Sequence, residues 1–193
     1  MMTLQQVLME LLPKITGSYW LGDGGLLGLT RNGKLIENDN DIDLYILQDT
    51  IIDLNDSPLC SQRYHICDKI YFPDNKPIKL NPWKEYCSIT KVFNPSLNRS
   101  KVMELASKTY KDNKIIPKFT ENHIDIFTLK QNPNDQRYYT NWKKNYYYNE
   151  DDLKPVINTD LGFPVNIFNN AEEVLERQYG TSWKIPNPDF KYF

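Results

Sequence analysis

The chain has 193 residues, of which 40% are hydrophobic and 25% charged, a composition typical of a folded globular protein. A chain of this length is most simply one domain, residues 1–193. No apolar run approaches the roughly 20 residues that cross a membrane, and the amino-terminal stretch is too polar for a signal peptide. Three cysteines do not suit a disulfide framework. We therefore expect a cytoplasmic domain without an integral membrane segment.

The net charge of −2 hides an uneven distribution along the chain. Residues 1–60 carry 3 basic and 9 acidic side chains, residues 61–148 carry 16 and 8, and residues 149–193 carry 4 and 8. A basic middle could face an anionic ligand such as a nucleotide or a phosphorylated glycan. A solvated surface rich in lysine explains the same count, so charge alone leaves the ligand open.

The first elements in chain order are a helix, a strand, a second helix and a second strand. Apolar residues recur at helical spacing from Leu4 to Ile15, and Pro13 and Gly17 mark the end of that helix. "SYWLG" predicts a strand, and "GLLGLTR" predicts a short helix that begins at the glycines. "DIDLYIL" alternates, and this predicts a strand with aspartates on one face and apolar residues on the other.

The later elements are hairpins, a helix, a strand and a final helix. Residues 62–93 break at "PDNKP" and "NPW", which suggests hairpins, and "SKVMELASKTY" suits a short helix. In the strand "HIDIFTL", Asp125 shares a face with His123 and Phe127. "NNAEEVLERQYG" has an Asn cap and a Gly stop, the boundary signals of a helix.

Asp41 and Asp43 predict a metal site because alternate side chains of a strand project about 6.5–7 Å apart on one face. Asp125, on another alternating strand, could supply a third carboxylate. Partly buried carboxylates repel one another unless a cation lies among them, and Mg²⁺ prefers such oxygen ligands. A polar strand face remains the alternative. An EF-hand loop is excluded because its glycine position would be Leu44 and its final glutamate Thr50.

The glycine cluster before this strand predicts a phosphate cradle. A strand, a glycine turn and a helix amino terminus together present backbone N–H groups to an anion. Gly24 and Gly25 stand at that turn, and no Walker pattern follows them. Glycines could thus hold phosphates that a metal on the aspartates would bridge.

The stretch "YWLGDGGLLGLTRNGKLIENDNDIDLYI" resembles the signature of the LicD family, which comprises phosphocholine transferases and fukutin-type ribitol-phosphate transferases of the nucleotidyltransferase-fold superfamily. "HIDIFTL" resembles its second Asp-bearing strand, and the segment from "EDDLKP" to "YGTSWKIPNP" resembles its carboxyl-terminal part. Gly25 stands where the family usually has Ser or Thr. Asn32 and the pair Glu37-Asn38 also depart from the family pattern.

This resemblance implies an α+β fold, with a nucleotidyltransferase-like mixed sheet flanked by helices and a carboxyl-terminal helical and loop segment. It implies that Asp41, Asp43 and Asp125 ligate Mg²⁺ or Mn²⁺, with Asp125 as third ligand or as the base. Gly24 and Gly25 would cradle a diphosphate and Arg31 would neutralise its charge. Whether Asp39 joins the metal site stays open.

The implied activity is transfer of a phospho-alcohol from a CDP-linked donor to a glycan hydroxyl, with release of CMP and no nucleic-acid partner. The alternative is a nucleotidyltransferase that moves a nucleoside monophosphate and releases pyrophosphate. A D-x-D glycosyltransferase is disfavoured because such enzymes usually build a sheet of several strands before their D-x-D, and only one predicted strand precedes Asp41. A non-catalytic binding module on the same fold remains open.

Two further groups leave alternatives open. Four residues with irregular spacing could bind zinc or simply pack in hairpins: Cys60, His65, Cys67 and Cys87. The tyrosines at 146–148, with Trp142, could stack on a base or sugar, or cover a sheet edge. The final Y-G, W and P residues suit a motif that packs the last helix against the sheet.

Overall fold

The structure is a computed structural model, and it describes residues 2–65, 88–93, 122–140 and 146–187. The described helices are α1 (Leu4–Leu11), α2 (Asp23–Asn32) and α3 (Ala171–Tyr179), with 3₁₀ turns at Leu12–Lys14 and Asp151–Leu153. The predicted helix "SKVMELASKTY" lies outside these residues. So do Cys67 and Cys87, and the zinc alternative therefore stays a prediction.

Eleven strands occur among the described residues. In chain order they are β1 (Ile15–Thr16), β2 (Tyr19–Gly22), β3 (Asp41–Leu47), β4 (Ile51–Ile52), β5 (Cys60–His65), β6 (Ser88–Phe93), β7 (His123–Gln131), β8 (Tyr138–Tyr139), β9 (Tyr147–Tyr148), β10 (Pro155–Asn158) and β11 (Val165–Phe168). The predicted "DIDLYIL" strand is confirmed with its exact bounds. β5 and β6 are antiparallel partners. The turns of the hairpins predicted within residues 62–93 lie outside the described residues.

The main sheet has the order β10-β11-β2-β3-β7-β6-β5. Its pairs are antiparallel except for β3 with β7 and β11 with β2, which are parallel. β8 pairs with the far end of β7 and with β9. This mixed sheet with helices packed on it confirms the predicted α+β class.

The two faces of the sheet bury two different sets of side chains. On one face α1 packs against alternate apolar residues of β3 and β7, including Ile42, Leu44 and Ile124. The other face carries what we call the aromatic cluster, which also receives Val174 and Leu175 of α3. Its rings are Trp20, Tyr45, Phe127, Tyr148, Phe168 and Trp183. Because Trp183 is in this cluster, the carboxyl-terminal motif packs as predicted.

Both ends of α1 follow from the local sequence, whereas the capping of α3 does not. Thr3 and Gln6 form a capping box that starts α1. This α-helix ends at Leu11, short of the predicted Ile15, because Pro13 cannot donate the next backbone hydrogen bond. Asn170 is the N-cap residue of α3, as predicted, but its side chain does not cap the helix: the Asn170 amide donates instead to Asp151 and Asp152.

None of the described helices is long and apolar enough to span a membrane.

Candidate metal and phosphate site

The site is built by the pairing of β3 with β7. These parallel strands align Asp41 with His123 and Asp43 with Asp125. Aligned residues of neighbouring strands share a face, so the four side chains project from one end of the face that carries the aromatic cluster. The next residues along that face are Tyr45 and Phe127, which belong to the aromatic cluster. The polar end of the face is thus bounded by buried rings.

Three of these side chains could hold a metal ion. Ligand atoms of Asp41, His123 and Asp125 all lie within 4.8 Å of one another. His123 and Asp125 are buried, and Asp41 is partly exposed at the edge. Among the described residues this group does not include Asp43, although Asp43 is the register partner of Asp125. The structure therefore brings together two of the three predicted ligands and adds a histidine.

Lys91 of β6 contacts the same group from the other side. β6 is antiparallel to β7, and the register places Lys91 opposite Asp125. Its ammonium Nζ donates to both carboxylate oxygens of Asp125, at 2.6 and 2.7 Å, and lies 2.9 Å from His123 Nε2. His123 Nε2 is itself 3.6 Å from Asp125 Oδ1. The buried carboxylate is thus held by the Lys91 ammonium, with the His123 ring beside it.

Burial and neighbouring charge change the proton affinity of two carboxylates at the site. Burial raises the pKa of Asp39 to about 6, and the adjacent Asp41 carboxyl adds to the rise. Burial also raises the pKa of Asp125, while the charge of Lys91 opposes that rise. Crowded carboxylates of this kind repel one another and favour a cation between them. Asp39 therefore lies in electrostatic contact with the predicted metal ligands.

Gly24 joins the helix α2 to this acidic group. A Cβ at position 24 would lie 3.2 Å from Asp39 Oδ2, so the first turn of α2 passes close to that carboxylate. Gly25 faces the other way, because a Cβ there would lie 2.8 Å from Leu21 Cδ1 in the core. A Ser or Thr at position 25 would have to displace Leu21. This contact is a packing reason for glycine there; a phosphate role for its backbone stays a prediction.

Gly22 and Tyr45 fix the start of α2. The Tyr45 ring lies where a Cβ on Gly22 would be, so only glycine fits beneath it. From there the Tyr45 hydroxyl donates to Asp23 Oδ2 at 2.8 Å. Asp23 is the first residue of α2 and has a φ of 41°, in the left-handed region. The backbone enters the helix through a strained residue that a buried hydrogen bond holds.

Arg31 lies in the last turn of α2, at the opposite end from the glycine turn. Seven residues separate it from Gly24, which corresponds to roughly 10 Å along the helix axis. A cation at a helix carboxyl terminus is favourable in its own right. The structure therefore does not place the backbone of Arg31 at the predicted phosphate cradle, and its role stays a prediction.

Sequence reasoning did not assign a role to His123 or Lys91. His123 could have been found, since it lies two residues before Asp125 on the same strand face. Lys91 depends on the register of β6 against β7, two strands separated by about thirty residues of chain. Its alternating neighbours in "SITKVF" give no sign of that partner.

The fold and the side chains on β3 and β7 define an α+β protein with a candidate divalent-metal site beside a glycine turn. Residues 17–79 match the family described as LicD/FKTN/FKRP, nucleotidyltransferase domain. The matched segment includes the glycine turn and both strand aspartates, whereas Asp125 lies beyond it. The predicted resemblance to the LicD family is thus confirmed over residues 17–79. No curated protein sequence matches the chain.

Proposed function

We propose that the protein is a metal-dependent phosphotransferase. It transfers a phospho-alcohol, such as phosphocholine, ribitol phosphate or glycerol phosphate, from a CDP-linked donor to a glycan hydroxyl in the cytoplasm. The observation that carries this proposal is the alignment of Asp41 and Asp43 with His123 and Asp125, next to the glycine turn of α2. The family match supports the same chemistry.

The donor set fits a divalent cation. Carboxylate oxygens are the ligands that Mg²⁺ prefers, and Mn²⁺ also accepts imidazole nitrogen. In this proposal Asp41, Asp43 and Asp125 hold the cation, and His123 is a fourth ligand available to Mn²⁺. When bound, the cation neutralises negative charge on the donor phosphates.

The glycine turn supplies the second half of the site. The first N–H groups of α2 are not used within the helix and are favourable partners for a phosphate. Gly24 presents no side chain between them and Asp39, so a phosphate can approach both the helix and the acidic group. In this proposal α2 orients the diphosphate of the donor for in-line attack.

The reaction is a displacement at phosphorus. The acceptor oxygen forms a bond to the distal phosphorus of the donor, and the bond from that phosphorus to the bridging oxygen breaks. CMP leaves with the electron pair of that bond. The hydroxyl proton passes to a carboxylate at the site, and Asp125 is the proposed acceptor.

A donor screen tests the proposal. The protein is incubated with CDP-choline, CDP-ribitol or CDP-glycerol, with Mg²⁺ or Mn²⁺ and an oligosaccharide acceptor, and CMP is measured. We expect CMP release from at least one donor, a loss of at least about 100-fold in Asp41→Asn, and little change in Asp49→Asn. Asp49 is a matched control because it is exposed in the turn after β3, outside the site.

The same assay separates the alternatives. Pyrophosphate release from nucleoside triphosphates, without CMP release from any CDP-linked donor, would favour nucleotidyl transfer and contradict the proposal. A folded protein that releases neither product would support a non-catalytic binding module.

A further inference from the structure

The Lys91 ammonium contacts atoms of Asp125 and His123 that could also bind a metal ion. Its ammonium is within 3 Å of both Asp125 oxygens and of His123 Nε2. Two of the three residues that could hold a metal are therefore already in contact with a cation of the protein's own. Side chains of Lys91 and Asp125 are both largely buried, with 13% and 9% of their surface exposed.

The contact between Lys91 and His123 indicates which group donates the hydrogen bond and which accepts it. A lysine ammonium only donates hydrogen bonds, so Nε2 must accept with its lone pair. With Nε2 as the acceptor, the tautomer assigned to His123 carries its proton on Nδ1. Neutral imidazole nitrogen is also the form that binds a metal. Lys91 thus uses the same lone pair and the same carboxylate oxygens that a metal would use.

An ammonium and a divalent cation cannot both use the single lone pair of His123 Nε2, and both would lie against the same Asp125 carboxylate. Each ligand lone pair binds one partner, and like charges at about 4 Å repel strongly where water is scarce. Removal of the lysine without a replacement cation would leave Asp125 buried beside Asp41. The lysine therefore stabilises the acidic group when no metal is bound.

We propose that Lys91 is an internal counter-cation that competes with the divalent metal for Asp125 and His123. Metal binding then requires the Lys91 ammonium to leave these two side chains. Lys91 sets the metal affinity and acts as a positioning residue for Asp125. This inference rests on the metal site of the proposed function.

Metal binding tests the inference without an activity assay. Mn²⁺ is titrated into the metal-free protein by calorimetry, for the wild type, Lys91→Met and Lys91→Arg. We expect Lys91→Met to bind Mn²⁺ at least about tenfold more tightly, because the competing charge is gone. Lys91→Arg keeps the charge and should bind no more tightly than the wild type.

Lys154→Met is the matched control. Lys154 also contacts an aspartate, Asp151, but both are exposed and lie on the carboxyl-terminal segment. Its loss should leave Mn²⁺ affinity unchanged. If Lys91→Met does not fold, Lys91→Gln keeps an uncharged N–H donor on a slightly shorter side chain, and the same gain in affinity is expected.

The outcomes separate this inference from the proposed function. Equal or weaker Mn²⁺ binding by a folded Lys91→Met, with the wild type binding Mn²⁺, would overturn the role of Lys91 and leave the function standing. A merely structural lysine would give that result together with a lower melting temperature. If neither protein binds Mn²⁺ or Mg²⁺, the metal-dependent function itself fails.

Discussion

Tyr45 shows how one side chain connects the core to the candidate site. Burial, with the charge of Asp23, raises the pKa of Tyr45 well above its ordinary value, so its hydroxyl keeps the proton and remains a donor. That proton is donated to Asp23 at the start of α2. Tyr148 is hydrogen-bonded to Tyr45 and accepts a hydrogen bond from Gln178 of α3. A buried polar chain thus runs from α3 to the glycine turn.

Removal of the Tyr45 hydroxyl should destabilise the protein. In Tyr45→Phe the ring still fills its place in the aromatic cluster, but the buried Asp23 loses a charge-assisted donor. We expect the free energy of unfolding to fall by about 1–3 kcal/mol, measured by urea denaturation.

Tyr139→Phe is the matched control for that change. The Tyr139 hydroxyl also donates to an aspartate, Asp135, at 2.7 Å, but this pair is exposed to water. Water replaces the lost hydrogen-bond partner there, so Tyr139→Phe should lower the free energy of unfolding much less than Tyr45→Phe does. Equal effects of the two substitutions would show that the burial of Asp23 does not matter.

Sequence could predict those site residues whose positions depend only on residues nearby in the chain. Asp41 and Asp43 follow from the alternation of one strand, and the glycine turn follows from its place between a strand and a helix. The sequence could not predict that Gly25 packs against Leu21, because this contact depends on how α2 packs on β2. The local sequence pattern predicts which face of a strand a side chain is on. It does not predict which residue of a neighbouring element lies opposite that side chain.

α3 is attached to the 3₁₀ turn Asp151–Leu153, just before β10, by a partly buried ion pair. Asp152 is fully buried, and its Oδ2 accepts from Arg177 Nη2 at 2.5 Å and from the Asn149 N–H at 2.8 Å. Asn170, just before α3, donates to its Oδ1. The Asn170 amide faces this carboxylate, and α3 starts without a side-chain hydrogen bond from its N-cap residue. The turn before β10 therefore determines how α3 is held.

Asp152→Asn should loosen this attachment. The substitution keeps the size of the side chain but removes the charge that faces the partly exposed Arg177, and a lost hydrogen bond to a charged group typically costs about 1.5–3 kcal/mol. We expect a loss of roughly that size in urea denaturation.

The neighbouring Asp151→Asn gives the comparison. Asp151 pairs with Lys154 at the surface, where water screens the interaction, so its loss should change stability far less. A result in which the two neighbours are equivalent would contradict the structural role of Asp152.

The strands were predictable as elements, but their order was not. β3 and β7 each show the alternation of a half-buried strand, so their positions and faces follow from sequence. Their parallel pairing, and the antiparallel pairing of β6 with β7, join segments far apart in the chain. Register between such segments is set by the whole core, which explains why Lys91 was not predicted.

At the scale of the molecule, one sheet carries both hydrophobic clusters. β3 contributes Ile42 and Leu44 to the face under α1 and Tyr45 to the aromatic cluster. β11, near the carboxyl terminus, pairs with β2, near the amino terminus. Strands from near both ends of the chain therefore share one sheet, and the single domain stays a prediction.

A substitution that destabilises one face of the sheet should then destabilise the other face as well. Leu8 of α1 is fully buried on the face opposite the aromatic cluster, and Leu8→Ala should cost about 2–5 kcal/mol. In a background of Trp83→Phe and Trp142→Phe, fluorescence comes from Trp20 and Trp183 of the aromatic cluster. We expect Leu8→Ala to lower the urea midpoint of this fluorescence as much as that of the far-ultraviolet circular dichroism.

The coupling follows because β2, β3 and β7 cannot lose one face and keep the other. Disruption of the packing under α1 frees the same backbone that holds Tyr45 and Phe127 in place. Met9→Ala is the control on the same helix, since Met9 is 50% exposed and its loss should shift neither midpoint by more than a small amount. If Leu8→Ala shifts the circular dichroism but leaves the fluorescence midpoint in place, the two faces unfold separately and the single-domain prediction is wrong.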